Sequence, residues 1–268
     1  ALGFIIAGIL VSIISMVFFI VTAGSLFQSL SEEQFVLENN SILHLRLIGN
    51  IQERSPRSSA FIPQNETAMM GLDDIVAAIR KVKNDDRIKG IYLNAQIFNA
   101  APATLMQIRQ ELIDFKESGK FIVAYADTYT QSGYYLASVA DKIAINPQGS
   151  LDIHGLVSMP VFYKDALEKL GIEIQVFKVG TYKSAVEPFT LTEMSEANRQ
   201  QTTSSLNDMW NFMRNDLADS RNLSAIDIDS IANQFPLLKD VSYLINKNLV
   251  DTVLYETEMK NYLRTLLN

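Results

Sequence analysis

An alternation of short apolar runs with segments of helical periodicity is the feature that most constrains the fold of this chain. Four segments have apolar residues at helical spacing, and we predict helices over 72–82, 102–118, 132–140 and 160–170. Five short apolar runs predict buried strands at 42–48, 88–95, 121–126, 142–146 and 173–179. Strands that alternate with helices indicate an α/β domain whose strands pair mainly in parallel.

Turn-forming residues separate these elements. The polar stretch 50–70 predicts a loop after the first strand. Pro147 and Gly149 are expected to close the strand at 142–146, and Gly119 and Gly171 to cap the helices before them.

The chain becomes mainly helical after Pro188. One helical face carries a stripe that is typical of a core or a subunit interface, formed by Leu206, Met209, Trp210, Met213 and Leu217.

The amino-terminal segment differs from the rest in composition. Residues 1–31 carry no charge, and the first ionisable side chain is Glu32. A bilayer crossing needs about 20 apolar residues in a helix, which 2–26 supply; a cleavable signal peptide and a buried helix are the alternatives. No Lys or Arg follows before Arg46, so the positive-inside rule permits this side to be extracytoplasmic. We predict a transmembrane anchor at 1–31 and one domain at 32–268.

Composition excludes several kinds of site. The chain has no cysteine, which rules out disulfides and thiolate chemistry, and its net charge of −7 argues against nucleic acid as a partner. His44 and His154 are the two histidines, too far apart in sequence to suggest a His-based triad or metal site. The acidic pairs at 73–74 and 85–86 adjoin predicted helix boundaries, where solvated carboxylates are common. Neither a Walker-type loop nor a GxGxxG motif is present.

The segment VGTYKSAVEPF, residues 179–189, places Lys183 after a predicted strand. A lysine acts as a general base only where burial favours its neutral form. Four residues could provide apolar walls for it: Tyr182, Ala185, Val186 and Phe189. A surface lysine beside a loop is the alternative.

A second segment, TQSGYYLAS at 130–138, places Ser132 at the start of a short helix that follows a strand. Backbone N–H groups and the helix dipole favour a nucleophile at such a position. A serine before a glycine is also a common turn or cap residue, which is the alternative reading.

The two segments together, TYTQSGYYLASVADKIAINPQGSLDIHGL and VFKVGTYKSAVEPF, resemble the first half of the long form of protease IV, the bacterial signal peptide peptidase A family. The similarity runs from about residue 72 to residue 251. The resemblance implies a spiral of β-β-α units of the crotonase/Clp-protease type. It also implies a homo-oligomeric serine endopeptidase that uses a Ser/Lys dyad, without metal or cofactor, on apolar remnants of cleaved signal peptides.

In the long form of this family the chain is a tandem duplication. The resemblance assigns Lys183 as the general base and places the nucleophilic serine in a second half, which this sequence does not contain. Ser132 occupies the position equivalent to that nucleophile. Residues 94–100 lack the glycines of the family's oxyanion loop, so we expect Ser132 to be vestigial or structural. We expect His154, which also fits the family pattern, to make a structural hydrogen bond.

The resemblance thus predicts the base-bearing half of a single-pass protein of the bacterial inner membrane, with the bilayer and the companion protease half as partners. Two functions of other classes stay open. The chain could be a non-catalytic scaffold of a membrane-bound assembly. It could also be a crotonase-type acyl-CoA enzyme, because that fold is shared.

Overall fold

The computed structural model describes residues 2–31, 37–55, 70–177, 179–180 and 182–267. The chain divides into two compact units, residues 1–38 and residues 39–268. Helix α1 (Leu2–Ser31) lies in the first unit, and the structure describes the solvent exposure of its residues 3, 6 and 8–22.

Over the described residues, no helix offers the combination of length and apolar character that a membrane crossing requires. The predicted anchor is therefore not supported by the structure. Most of the predicted loop at 50–70 also lies outside the described residues, which resume at residue 70.

The second unit is built on one sheet of six strands in the order β2-β1-β3-β4-β5-β6. The strands are β1 (Ser41–Gln52), β2 (Met70–Gly71), β3 (Ile88–Asn99), β4 (Phe121–Tyr129), β5 (Lys142–Leu151) and β6 (Thr252–Val253). Every neighbouring pair is parallel. The prediction of an α/β fold with parallel pairing is confirmed.

Helices connect and cover these strands. They are α2 (Leu72–Lys83), α3 (Pro102–Lys116), α4 (Gln131–Ala137), α5 (Lys164–Lys169), α6 (Glu187–Thr190), α7 (Glu196–Arg221), α8 (Ala225–Asn233), α9 (Val241–Asn246) and α10 (Glu256–Leu267). Two short 3₁₀ turns lie at Ser184–Val186 and Pro236–Leu238. Gly119 and Gly171 adopt the left-handed conformation, with φ of 76° and 72°. Gly171 directly follows the C-cap Leu170 of α5, as is common at helix ends, whereas the C-cap of α3 is Glu117, two residues before Gly119.

The core lies on both faces of the sheet because successive side chains of a strand point to opposite sides. On one face, Met259 of α10 packs in a buried cluster with Tyr92, Val123, Tyr125 and Ala144. The other face carries the helices that follow β2, β3 and β4. The predicted apolar face of α2 is buried throughout, at Leu72, Ile75, Val76, Ile79 and Val82.

The strand predicted at 142–146 continues to Leu151, so Pro147 and Gly149 do not end it. The pairing with β4 shifts between Ala126 and Thr128, whose partners are Ile145 and Ser150. Extra residues on β5 therefore form a bulge, which is where a strand accommodates proline and glycine.

The strand predicted at 173–179 is wrong. Residues 172–177 and 179 form no strand in the described chain. A strand needs a hydrogen-bonded neighbour, and the edge of the sheet beyond β5 is occupied by β6 instead.

The helix predicted at 160–170 is shorter than expected, since α5 begins at Lys164. Tyr163 is the N-cap of this helix, and its backbone N–H donates to the carbonyl of Pro188 at 2.6 Å. The ring of Tyr163 also stacks against Phe189, with centroids 6.0 Å apart. This loop is thus joined to the segment that carries Lys183.

Candidate functional site

Ser132 lies in the first turn of α4, directly after β4. The hydroxyl of Thr130 caps this helix by accepting a hydrogen bond from the backbone N–H of Gly133 at 3.1 Å. A Cβ atom at residue 133 would lie 3.3 Å from the carbonyl oxygen of Ala95, so glycine lets the helix approach β3 closely. Ser132 itself is partly exposed, and no described residue hydrogen-bonds its hydroxyl.

Gln131 fixes the start of α4 to the loop after β5. Its side-chain oxygen accepts hydrogen bonds from the backbone N–H groups of His154 and Gly155, at 2.9 and 3.0 Å. Its side-chain nitrogen donates to the carbonyl of Gly155 at 3.0 Å. Because all three bonds involve backbone groups, Gln131 holds the loop and the Ser132 turn as one piece.

Ser132 borders a cavity of about 350 Å³, which we call the Ser132 groove. Its walls are mainly apolar and include Leu105, Met106, Leu156, Met209, Phe212 and Met213. Two of the five residues of the predicted helical stripe, Met209 and Met213, therefore line this groove. The stripe reaches the buried core at Leu217, which is fully buried.

Arg109 connects the helices around the groove. Its guanidinium is 3% exposed and donates to the carbonyl of Tyr135 and the hydroxyl of Ser138 on the α4 side, the second at 2.8 Å. On α7 it donates to the carbonyl of Asp216 at 2.8 Å and to the hydroxyl of Ser220. Burial lowers the pKa of Arg109, but arginine remains charged near neutral pH. A single buried cation thus joins α3, α4 and α7.

Lys183 lies in the last part of an exposed segment and directly precedes the 3₁₀ turn Ser184–Val186. Its side chain is exposed, and it makes no hydrogen bond or ion pair with any described residue. The neighbouring Tyr182 and Phe189 are 58% and 44% exposed. The apolar walls predicted around the lysine therefore do not bury it within this chain.

No hydrogen bond joins Lys183 and Ser132, both of which the structure describes. Residues 94–99, where the family's oxyanion loop was expected, belong to the extended strand β3. The assignments of Lys183 as a base and of Ser132 as a nucleophile-equivalent position stay predictions.

The remaining candidate residues make local contacts. Nδ1 of His154 lies 2.9 Å from a carboxylate oxygen of Asp152. His44 stacks on Tyr92 with ring centroids 4.7 Å apart, and burial, assisted by the nearby Arg46 charge, lowers the pKa of His44. No set of three or more His, Cys, Asp or Glu side chains in the described chain is placed to hold a metal ion.

The acidic pairs lie at the two ends of α2. Asp73 accepts a hydrogen bond from the backbone N–H of Ser55 at 3.2 Å, and Asp74 accepts one from the hydroxyl of that serine. Asp85 pairs with Arg87 at 2.7 Å. The hydrogen bond from Arg87 lowers the pKa of Asp85 from 3.8 to about 2.

Comparison with known proteins identifies the family. The sequence profile of Peptidase family S49 matches residues 114–268. This range includes Ser132, Lys183 and helices α4 to α10. The chain belongs to this family. The match covers more than half of the chain and includes both segments on which the resemblance rests.

Individual S49 relatives agree with this assignment. A protein named Protease 4 from Haemophilus influenzae is 40% identical over 163 residues, which are 60% of this chain and 26% of that protein. A Protease 4 from Salmonella typhi is 42% identical over 154 residues, or 57% of this chain and 25% of that protein. The chloroplastic serine protease SPPA of Arabidopsis thaliana is 25% identical over 231 residues, or 86% of this chain and 33% of that protein. The chain thus aligns with only about a quarter to a third of the length of these relatives.

Three polar residues of this S49 chain were not predicted from the sequence, namely Arg109, Gln131 and Glu187. The sequence pattern could have indicated that Arg109 is buried, because it lies on the same helical face as Leu105, Ile108 and Leu112. A charged residue at a core position of a helix requires buried partners. Glu187 and Gln131 lie outside any such periodic pattern, and their partners are distant enough in sequence that only the fold reveals them.

Proposed function

We propose that this chain is the lysine-bearing half of a membrane-anchored S49 serine endopeptidase with the crotonase/Clp type of spiral fold. The observation that carries the proposal is the segment 179–189. It lies inside the family match, reproduces the lysine motif, and presents Lys183 on the surface without a partner among the described residues. An unpaired, exposed lysine in this position is suited to serve a reacting group that another domain supplies.

The surroundings of Lys183 support a partner surface at this place. Phe177 and Val179 are 96% and 90% exposed, and Tyr182 beside the lysine is also exposed. Contiguous exposed apolar side chains mark sites of interaction. A companion protease half that covers this segment would exclude water and favour the neutral amine of the lysine. We propose that this half carries the nucleophilic serine and that Lys183 takes the proton of its hydroxyl.

The proposed reaction is acyl transfer to the serine of the companion half. As the serine oxygen attacks the peptide carbonyl, Lys183 accepts its proton and then delivers that proton to the leaving amine. The substrate class that we propose is an extended apolar peptide, such as the remnant of a cleaved signal peptide. No metal or cofactor takes part in this proposal, and a homo-oligomer is the proposed assembly.

The proposed location is the bacterial inner membrane, with a single-pass anchor and the protease domain on the extracytoplasmic side. The charge-free run at 1–31 and the lack of Lys or Arg before Arg46 support this location. Alkaline carbonate extraction tests it: the chain should stay in the membrane pellet, whereas a variant without residues 2–26 should be released. Release of the intact chain would overturn the anchor.

The base role is tested by Lys183→Ala and Lys183→Arg in the protein that joins this chain to its companion half. Both should abolish cleavage of an apolar peptide ester, because alanine has no amine and arginine does not deprotonate at accessible pH. Lys169→Ala, at an exposed lysine of α5, is the matched control and should retain activity.

Circular dichroism should show that all three variants remain folded. Near-normal turnover by folded Lys183→Arg would overturn the base role, and it would favour a non-catalytic scaffold function for this half.

A further inference from the structure

Glu187 is a buried carboxylate four residues after Lys183. It is 2% exposed, the least exposed of the acidic side chains that the structure describes as buried. One of its oxygens accepts the hydroxyl of Ser195 at 2.6 Å. The other accepts the backbone N–H of Ser195 at 3.2 Å and the side-chain amide of Asn198 at 2.9 Å. Three donors from the start of α7 therefore converge on this one carboxylate.

The backbone between Lys183 and Glu187 leaves little freedom for either residue to move alone. The three residues that separate them form the 3₁₀ turn, and the backbone N–H of Glu187 donates to the carbonyl of Ser184. The backbone N–H of Leu191 in turn donates to the carbonyl of Glu187 at 2.8 Å, which continues the turn into α6. The hydrogen bonds that fix the position of Glu187 therefore also fix the turn that follows Lys183.

On the other side of Lys183, no hydrogen bond or ion pair ties the described residues 173–177, 179–180 and 182 to the rest of the chain. Gly180 adopts a φ of 100°, a conformation that side-chain-bearing residues rarely accept and that lets the chain change direction. The described residues of 172–180 form no secondary structure, and all of them except the half-buried Val176 are exposed. Among the described residues, the attachments of the lysine turn to the folded unit therefore lie on its carboxyl-terminal side.

We propose that Glu187 is the positioning residue for Lys183. Its carboxylate fixes the lysine turn to the first turn of α7 and so sets the direction in which the side chain of Lys183 projects from the surface. This proposal rests on the proposed function of Lys183 as the base. It adds a second residue on which turnover depends, one that touches neither the substrate nor the reacting atoms.

The chemistry of the site explains why a carboxylate suits it. An ionised carboxylate only accepts hydrogen bonds and has lone pairs for all three donors. A glutamine would keep one accepting oxygen at the same reach, but its NH₂ group would face donors. An alanine would leave the Ser195 and Asn198 groups without their acceptor. We therefore expect function to fall in the order glutamate, glutamine, alanine.

The test compares Glu187→Gln and Glu187→Ala in the protein that joins this chain to its companion half. We expect kcat per folded molecule to fall by ~10²-fold for Glu187→Ala and less for Glu187→Gln, the size of loss that a misplacement near 1 Å produces. KM should change little, because binding of the peptide is not altered. The folded fraction at the assay temperature is measured by circular dichroism, so that lost protein is not counted as lost turnover.

Asp240→Ala is the matched control, since Asp240 caps α9 by accepting the backbone N–H of Tyr243 at 2.9 Å and the hydroxyl of Ser242 at 2.7 Å. This substitution removes a helix-capping carboxylate that is not part of the lysine turn, and it should leave kcat unchanged. Hydrogen exchange gives a second readout: Glu187→Ala and Glu187→Gln should speed exchange at residues 183–186, and Asp240→Ala should not.

The outcomes separate this proposal from the function on which it rests. Inactive Lys183→Ala together with wild-type kcat and exchange in both Glu187 variants would overturn the positioning role and leave the base role intact. Active Lys183→Ala would overturn both. If Glu187→Ala does not fold, Glu187→Gln decides alone, because it preserves the side-chain volume: reduced kcat with faster exchange at 183–186 supports the proposal, and unchanged values overturn it.

Discussion

Replacing Arg109 with methionine tests whether the helices around the Ser132 groove depend on one buried cation. Methionine retains the length and apolar stem of the side chain but donates no hydrogen bonds. The substitution removes the links to Tyr135 and Ser138 on the α4 side, and to Asp216 and Ser220 on α7. Wild-type packing should otherwise be preserved, so the measured change in stability reports mainly on these links.

The structure sets the expected magnitude. Removing one partner of a fully buried ion pair costs about 3–5 kcal/mol. Here Nε of Arg109 lies 3.5 Å from the carboxylate of Asp216. The side chain of Asp216 is 31% exposed, and its carboxylate keeps a hydrogen bond from the hydroxyl of Tyr135 at 2.5 Å. The carbonyl of Tyr135 also keeps the hydroxyl of Ser138 at 3.0 Å. Since solvent and these groups compensate part of the loss, we expect a lower value, roughly 2–4 kcal/mol.

Urea denaturation followed by circular dichroism measures this difference in the free energy of unfolding. In a thermal melt, each kcal/mol shifts Tm by about 2–4 °C for a domain of this size, so the variant should melt roughly 4–16 °C lower. Arg109→Lys should be intermediate, because an ammonium retains the charge but lacks the planar donor set.

Arg87→Met is the control, since Arg87 is 51% exposed and pairs with Asp85 at the surface. It should cost much less than Arg109→Met, because exposed ion pairs contribute little to stability. A value for Arg109→Met as small as that of Arg87→Met would refute the view that Arg109 holds these helices together.

Two further predictions concern other carboxylate and hydroxyl groups. Because the pKa of Asp85 is about 2 in the fold against 3.8 without its partner, Arg87, the pair contributes stability above pH 3.8 that is lost as the pH falls toward 2. Asp85→Asn should therefore flatten the acid limb of a stability–pH curve, and an unchanged limb would contradict this assignment. The isolated chain should not be labelled by a fluorophosphonate at Ser132, since no described base contacts its hydroxyl; stoichiometric labelling that disappears in Ser132→Ala would show the opposite.

The order of strands and helices was largely predictable from the sequence because it depends on local periodicity. The buried residues of α2 follow the apolar spacing at Leu72, Ile75 and Val76, and the strand at 88–95 was located correctly although it continues to Asn99. Element ends were less predictable. Pro147 predicts the end of a strand, but a bulge in β5 between the partners of Ala126 and Thr128 lets the strand continue past the proline.

The failed strand at 173–179 shows the limit of local patterns. Its apolar residues match a strand, yet a strand forms only where a neighbour offers free hydrogen-bonding groups. In this chain Thr252 and Val253 occupy the place beside β5. Side chains such as Phe177 are then left exposed, so the apolar pattern of this segment does not mark a buried strand of the sheet.

From the sequence, only the motif residues Ser132 and Lys183 of the candidate site could be predicted. The contacts that both motifs make with α7 could not be predicted, because they depend on the fold. The N-cap of this helix, Ser195, donates its backbone N–H to Glu187. Further along the helix, Met209 and Phe212 line the Ser132 groove, and the carbonyl of Asp216 accepts a hydrogen bond from Arg109. The lysine turn and the serine turn, which the sequence marks as separate motifs, are thus attached to the same rigid element. A change at the start of α7 is therefore expected to reach the groove through the helix itself, while α4 is also held by the Gln131 hydrogen bonds and by its packing on β3.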